Sequence, residues 1–177
     1  MRPARAFGGD TPGVTPGDLV LGPTGMRFLG RRFPRTIGRG GVVADKREGD
    51  GGTPVGVHGI IGVLYRPDRM TPPVPWARPI GPRDLWCDDP ARPEYNHRVR
   101  APFGASAEAL CRADPLYDLV ILTDWNWPVA RPGRGSAIFL HRWRRPGYPT
   151  EGCVAFDPAH LRWIAARITP RTRLIVR

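Results

Sequence analysis

At 177 residues the chain has the size of one domain, enough to bury roughly two-thirds of its unfolded surface in a single core. Its 22 glycines and 22 prolines predict short strands joined by irregular loops, and because they are not gathered into blocks they exclude a low-complexity chain. The formal net charge of +11, from 27 basic against 16 acidic residues, favours an anionic partner, nucleic acid or a wall polymer.

A coding bias explains why Lys46 is the single lysine, but not the excess of basic over acidic groups. Cys87, Cys111 and Cys153 are odd in number and widely spaced, so at least one thiol is free or bonded outside the chain. No apolar run approaches the length of a membrane span. The opening MRPARAFGGDTPGVTPG lacks an apolar signal core, so no export signal is visible.

In chain order, residues 1–17 read as a Gly/Pro-punctuated arm preceding a domain of residues 18–177. Residues 18–21 and 26–30 flank GPTG as a hairpin. Thr36, Gly38, Gly40 and Gly41 form a flexible approach to the charge cluster Lys46, Arg47, Glu48 and Asp50, which Gly51 and Gly52 end. A solvated turn is the expectation there. GRGGVV has neither a Walker lysine nor the G-x-G-x-x-G spacing of a phosphate loop.

A strand is predicted over 59–65, with His58 making a structural polar contact at its start. Prolines at 72, 73, 75, 79, 82, 90, 93 and 102 argue against a long helix or a central strand between residues 71 and 102. The aromatic rings of that segment pack as a lid or line a groove, Trp86 as packing, Asp88, Asp89, Tyr95 and Asn96 as groove residues. SAEALCR, 106–112, reads as a short helix capped by Ser106, with Cys111 packed inside it.

DLVILTD, 118–124, is the most strand-like run and is expected at the centre of the sheet, followed by an aromatic turn carrying Asp124 and Asn126. DPAHLRWIAARI has Asp157 as N-cap, Pro158 at the first helical position, and Leu161, Ile164, Ala165 and Ile168 on one face. TRLIV is a last strand. The expected fold is mainly β, a sandwich or partial barrel with two short α-helices.

The chemistry concentrates in SAIFLHRWRRPGYPTEGCVAF, residues 136–156. Ala137, Phe139 and His141 fall on one face of a strand and Ile138 and Leu140 on the other. A loop with two prolines and two glycines then returns into CVAF, a run able to pair beside the first. That geometry brings an imidazole and a thiol together, the minimal nucleophile and base for acyl transfer. A structural role for Cys153 as a small packed hydrophobe stands beside this reading.

Gly152 would let a substrate carbonyl approach the backbone, where its N–H and that of Cys153 could meet a developing oxyanion. Arg142, Arg144 and Arg145 add a positive field that favours a thiolate and a substrate carboxylate. Nothing has the spacing of C-x-x-C or H-x-x-x-H, so no metal and no cofactor is expected.

His141, eleven residues, then Cys153 in PTEGCVAF resembles the signature of the L,D-transpeptidase catalytic domain, the YkuD-like family of bacterial cell-wall enzymes. The blocks GRGGVVADKREGDGGTPVG, LWCDDP, YNHRV, LYDLVILTDWN and GRGSAIFLH are similar to one proteobacterial branch of it, extending the resemblance over residues 36–176. The resemblance implies a β-rich fold and a cysteine acylated by a peptidoglycan stem peptide, which is then transferred to an amine on a second strand. Cys153 matches the nucleophile, His141 the base, and Gly152 the glycine before the nucleophile.

Thr150 keeps the family's hydroxyl, whereas Glu151, Ala155 and Arg142 depart from its usual residues and the His-to-Cys interval is shorter. Arg142, Arg144, Asp124 and Asn126 are the expected replacements in holding the donor peptide. Stem peptides and carbapenem-type inhibitors are the implied partners, with no nucleic acid, and the implied location is the periplasm or cell envelope. Hydrolysis at the same site is the near alternative to transfer. A basic module binding nucleic acid or wall polymer, with Cys153 merely packed, is the alternative from another class.

Overall fold

The computed structural model describes residues 13–177. Three short strands, β1 (Leu19–Gly22), β2 (Gly25–Phe28) and β3 (Arg31–Phe33), fold back on one another as a meander, which contains the predicted hairpin and one strand more. After Pro34 come β4 (Arg35–Thr36) and the small parallel pair β5 (Val42–Val43) and β6 (Thr53–Pro54), which brackets the charged loop. β7 (Gly56–Tyr65) is the longest strand, and β8 (Arg78–Pro79) lies along its far end. β9 (Asp84–Cys87), β10 (Arg98–Arg100) and β11 (Ala107–Ala109) make a separate three-stranded sheet. A 3-10 turn (Pro115–Tyr117), β12 (Leu119–Thr123), β13 (Phe139–Arg142), β14 (Val154–Phe156), helix α1 (Pro158–Ala165) and β15 (Arg173–Val176) complete the order.

The main sheet runs β3-β2-β1-β15-β7-β12-β13-β14-β4. Its two terminal strands, β3 and β4, are separated in the chain by Pro34 alone, so the sheet curls until its ends meet and forms a nearly closed barrel. Proline has no N–H to offer a ladder, which suits it to that seam. Leu119 and Ile121 of β12 face the core inside the curl, with Leu21, Phe28, Leu140 and Phe156, while α1 adds Leu161, Ile164 and Ala165. Val120 and Leu122 face the other way, into a second cluster with Trp86, Leu110, Tyr117 and Phe139. Burial on both faces explains why DLVILTD is uninterrupted apolar sequence rather than alternating.

The three-stranded sheet covers that second cluster, and it holds two departures from expectation. Residues 106–112 are not a helix: Ala107, Glu108 and Ala109 form β11, paired antiparallel with Cys87, Trp86 and Leu85. Their good helix propensity, worth only tenths of a kcal/mol per residue, yields to the ladder and to Leu110, which is fully buried. β9 is the central strand of its sheet despite the surrounding prolines, because none falls between Pro82 and Pro90. Among the described residues there is therefore one α-helix, with a separate 3-10 turn, rather than the two α-helices expected. The predicted helix at Asp157 is present, its carboxylate accepting from the N–H groups of Ala159 at 2.8 Å and His160 at 3.4 Å.

Of the expected N-terminal arm, residues 1–12 lie outside the described residues. Gly13 and Pro16 are tied to the body, their carbonyls accepting from Arg173 Nη2 at 3.1 Å and from the Leu29 N–H at 2.9 Å. Next to them Arg173 of β15 clasps the buried Asp18 with two hydrogen bonds, 2.8 and 2.6 Å. That clasp chiefly holds the Asp18 carboxyl far below its ordinary value of 3.8. Replacing Asp18 by Asn is expected to cost about 2–4 kcal/mol at pH 7, since Arg173 loses its charge partner. A depressed carboxyl stabilises the fold above its unfolded pKa and loses that contribution as pH falls below it. The gap between parent and variant in urea titrations should therefore shrink steadily below about pH 4.

Candidate active site

β13 and β14 run parallel, with Leu140 opposite Val154 and His141 opposite Ala155. Side chains alternate along each strand, so His141 projects from the face that carries Phe139, and Cys153, one step before β14, comes to the same face. Both line one cavity of about 660 Å³ on the outside of the curled sheet. The predicted pair is thus brought together by strand register.

Cys153 Sγ accepts from the Phe139 N–H at 3.3 Å and donates to the Ala137 carbonyl at 3.4 Å. His141 is 5 % exposed, and its Nδ1 lies 2.7 Å from the Arg142 carbonyl. A carbonyl only accepts, so Nδ1 carries the proton and Nε2 keeps the free lone pair. The Tyr117 ring stands edge-on to the imidazole at 5.4 Å and 80°. Burial pushes the Cys153 thiol up to about 12 and the His141 imidazole down to about 4. Burial thus favours the uncharged forms at neutral pH, a thiol and a neutral imidazole on the wall of one cavity, over a thiolate–imidazolium ion pair.

Glycines far apart in sequence pack beneath the cysteine. Gly152, at φ +135, lies so close to Gly52 that a Cβ would sit 2.8 Å from the Gly52 carbonyl oxygen. A Cβ on Gly38 would lie 2.0 Å from the Gly51 carbonyl oxygen and 2.8 Å from Gly152 Cα. Thr53 Oγ1 bridges these segments, accepting from the Gly38 N–H at 3.0 Å and donating to the Gly152 carbonyl at 2.8 Å. The glycine-rich approach is therefore close-packed backbone under the nucleophile, not a flexible lead-in. The charge cluster after it is not a plain solvated turn either. Lys46 is buried, with Nζ donating to Asp50 at 2.6 Å and to the Arg47 carbonyl at 2.7 Å.

Among the predicted substrate-binding residues, Thr150 and Arg144 line the cavity. Thr150 Oγ1 donates to the Cys153 carbonyl at 2.5 Å and accepts from the Gly152 N–H at 3.2 Å, so that N–H already has a partner in the free protein. Arg142 reaches the pair through its carbonyl. Asp124 and Asn126 are not among the lining residues. Asp124 accepts from the Gly59 N–H at 2.9 Å, and Asn126 donates to the Arg131 and Gly135 carbonyls at 3.1 and 3.0 Å, shaping its own loop.

Of the expected groove residues Asp88 lines the cavity, whereas Asp89 accepts from the Ala91 N–H in its own turn. Tyr95 is buried and donates to Glu48. Asn96 is a buried brace, accepting from Trp86 Nε1 and the Ala137 N–H and donating to the Trp125 and Asn126 carbonyls. His58 makes its structural contact, Nε2 to the Pro54 carbonyl at 3.1 Å.

Sequence reasoning did not single out Glu108 or Tyr117, which line the same cavity. The Tyr117 hydroxyl donates to Glu108 Oε1 at 3.0 Å, and Arg112 Nη1 stands 3.5 Å from that oxygen. A strand reading of SAEAL, alternating small residues around one acid, would have pointed Glu108 away from its neighbours. No group of three or more metal-ligating side chains occurs among the described residues.

A nearly closed β-sheet, with a thiol and an imidazole lining one outer cavity, places the molecule among mainly β domains. The family model of the L,D-transpeptidase catalytic domain, YkuD, matches residues 28–176, and the chain belongs to that family. Its work therefore concerns peptidoglycan and the cell wall. No curated protein and no solved structure shows a significant match to the chain.

Proposed function

We propose that the protein is a peptidoglycan L,D-transpeptidase of the cell envelope in which Cys153 is the nucleophile and His141 the base. The observation that carries this reading is the register of β13 and β14, which sets both side chains on one wall of a single cavity. His141 Nε2 takes the thiol proton as Sγ attacks the donor carbonyl carbon. The C–S bond forms, the peptide C–N bond breaks, and the imidazolium returns the proton to the departing amine. An acceptor amine then attacks the thioester, making the new amide and regenerating the thiol. Arg144 and Thr150, both on the cavity wall, are suited to the donor's carboxylate and backbone.

Incubation with purified tetrapeptide muropeptides should add an acyl group to Cys153, found by intact-mass spectrometry and peptide mapping, and should yield cross-linked dimers. A carbapenem should add its whole mass, because its lactam ring opens on the sulfur without losing a fragment. Cys153→Ala should show neither adduct. Acylation followed by monomeric trimmed product alone would make the enzyme a carboxypeptidase. An unmodified parent that binds DNA with steep salt dependence would replace the enzyme reading with the binding module.

A further inference from the structure

We propose that Glu108, with Asp88 beside it, forms the acceptor subsite, binding the ammonium group of the incoming amine and taking its first proton. This deepens the transpeptidase reading and rests on it. Alkylamines are protonated at neutral pH, so the acceptor arrives as R–NH3+ and must shed two protons to become an amide N–H. The departing Cys153 thiolate reclaims one of them through His141. The Cys–His pair has no place for the other.

Two carboxylates in the cavity, Asp88 and Glu108, each keep an oxygen without a hydrogen-bond partner among the described residues. The chain carries a net charge of +11, yet its cavity is lined by Glu48, Asp88, Glu108 and Glu151 against Lys46 and Arg144. Lys46 is tied to Asp50, Glu48 accepts the Tyr95 hydroxyl, and Glu151 pairs with Arg39. Asp88 has no side-chain partner among the described residues, and its Oδ1 is buried and unsatisfied. An isolated buried carboxylate oxygen calls for a donor, and an ammonium supplies three.

Glu108 keeps 38 % of its side chain exposed. Tyr117 holds its Oε1, while Oε2 has no hydrogen-bond partner among the described residues. The groups acting on it are Tyr117 and Arg112, which favour the carboxylate, and Asp88 and Asp114, which oppose it. Cys153 also lies within its field. Burial first, then the two aspartates, raise its proton affinity above that of an ordinary glutamate, which improves it as a proton acceptor.

The test uses the acyl-enzyme formed on Cys153 from a purified tetrapeptide muropeptide, with Nα-acetyl-lysine as ammonium acceptor and hydroxylamine as a nucleophile already neutral at pH 7. Glu108→Gln, which still accepts from Tyr117, should slow deacylation by Nα-acetyl-lysine by a factor on the order of 10² relative to hydroxylamine. Its rate should rise about tenfold per pH unit between 7 and 9, following the free amine, while the parent's rises less. Asp88→Asn should raise the Nα-acetyl-lysine concentration needed for half-maximal rate. Equal slowing of both nucleophiles, or an unchanged ratio, overturns the subsite and leaves the transpeptidase reading standing. A parent that forms no thioester overturns both.

Discussion

Replacing His141 by Gln lowers the rate of Cys153 acylation at pH 7 by a factor on the order of 10²–10⁴, the range for losing a positioned general base. The size of the effect follows from the neutral resting pair. With the thiol pushed up to about 12, the thiolate present at pH 7 is on the order of one part in 10⁵. Unassisted attack through that fraction is negligible, so the proton must move to His141 as sulfur attacks. Glutamine preserves much of the imidazole's volume but cannot take a proton.

The pH dependence has a defined sign. The imidazole is lowered to about 4, so it stays a competent base as pH falls from 7 to about 5, and acylation should decline only as pH approaches 4. In His141→Gln the residual rate should instead climb with hydroxide up to at least pH 9, because only the free thiolate remains reactive. Stopped-flow acylation by a carbapenem across that range checks both limbs. A parent that loses activity below pH 6.5, the ordinary histidine range, would contradict the buried neutral base.

The second large effect is structural. Gly38→Ala places a methyl 2.0 Å from the Gly51 carbonyl oxygen and 2.8 Å from Gly152 Cα, and both neighbours are backbone. Relief requires moving one of three chain segments, which for overpacking costs roughly 1–3 kcal/mol and more where the obstacle is rigid. For a domain of this size about 3 kcal/mol corresponds to a melting temperature lower by roughly 6–12 °C. Because Gly152 is one of the two segments pressed upon, Cys153 is displaced where that segment yields, and acylation should fall even at temperatures where the variant is folded. Gly104→Ala is the control: nothing lies within 4 Å of its added methyl, and it should stay within about 0.5 kcal/mol of the parent.

These residues differ in how far sequence could reveal them. Phe139, His141 and Cys153 were legible because their arrangement is local: alternation sets the face, and one loop sets the pairing. The glycine contact was not, since Gly38 and Gly152 are brought together by folding across more than a hundred residues, and a glycine string looks the same whether loose or clamped. Residues 106–112 misled because Ala, Glu, Leu and Arg favour helices locally, while the edge of β9 that recruits them as a strand lies about twenty residues earlier. The misreading also hid Glu108. Asp124 and Asn126 were expected at the site from their proximity to the motif, but Asp124 is bonded to Gly59 of β7 and Asn126 braces its own loop.

The strand order also dictates when the barrel can form. β15 sits between β1 and β7, with Leu19 opposite Leu174, so the middle of the sheet depends on pairing between segments far apart in the chain. Until Arg173–Val176 docks, β1 and β7 each present an unpaired edge and the Asp18 clasp has no Arg173. Pairing at such separation in sequence slows closure. The cavity wall that carries His141 and Cys153 is therefore complete only once the strands nearest and farthest in the chain have closed the ring.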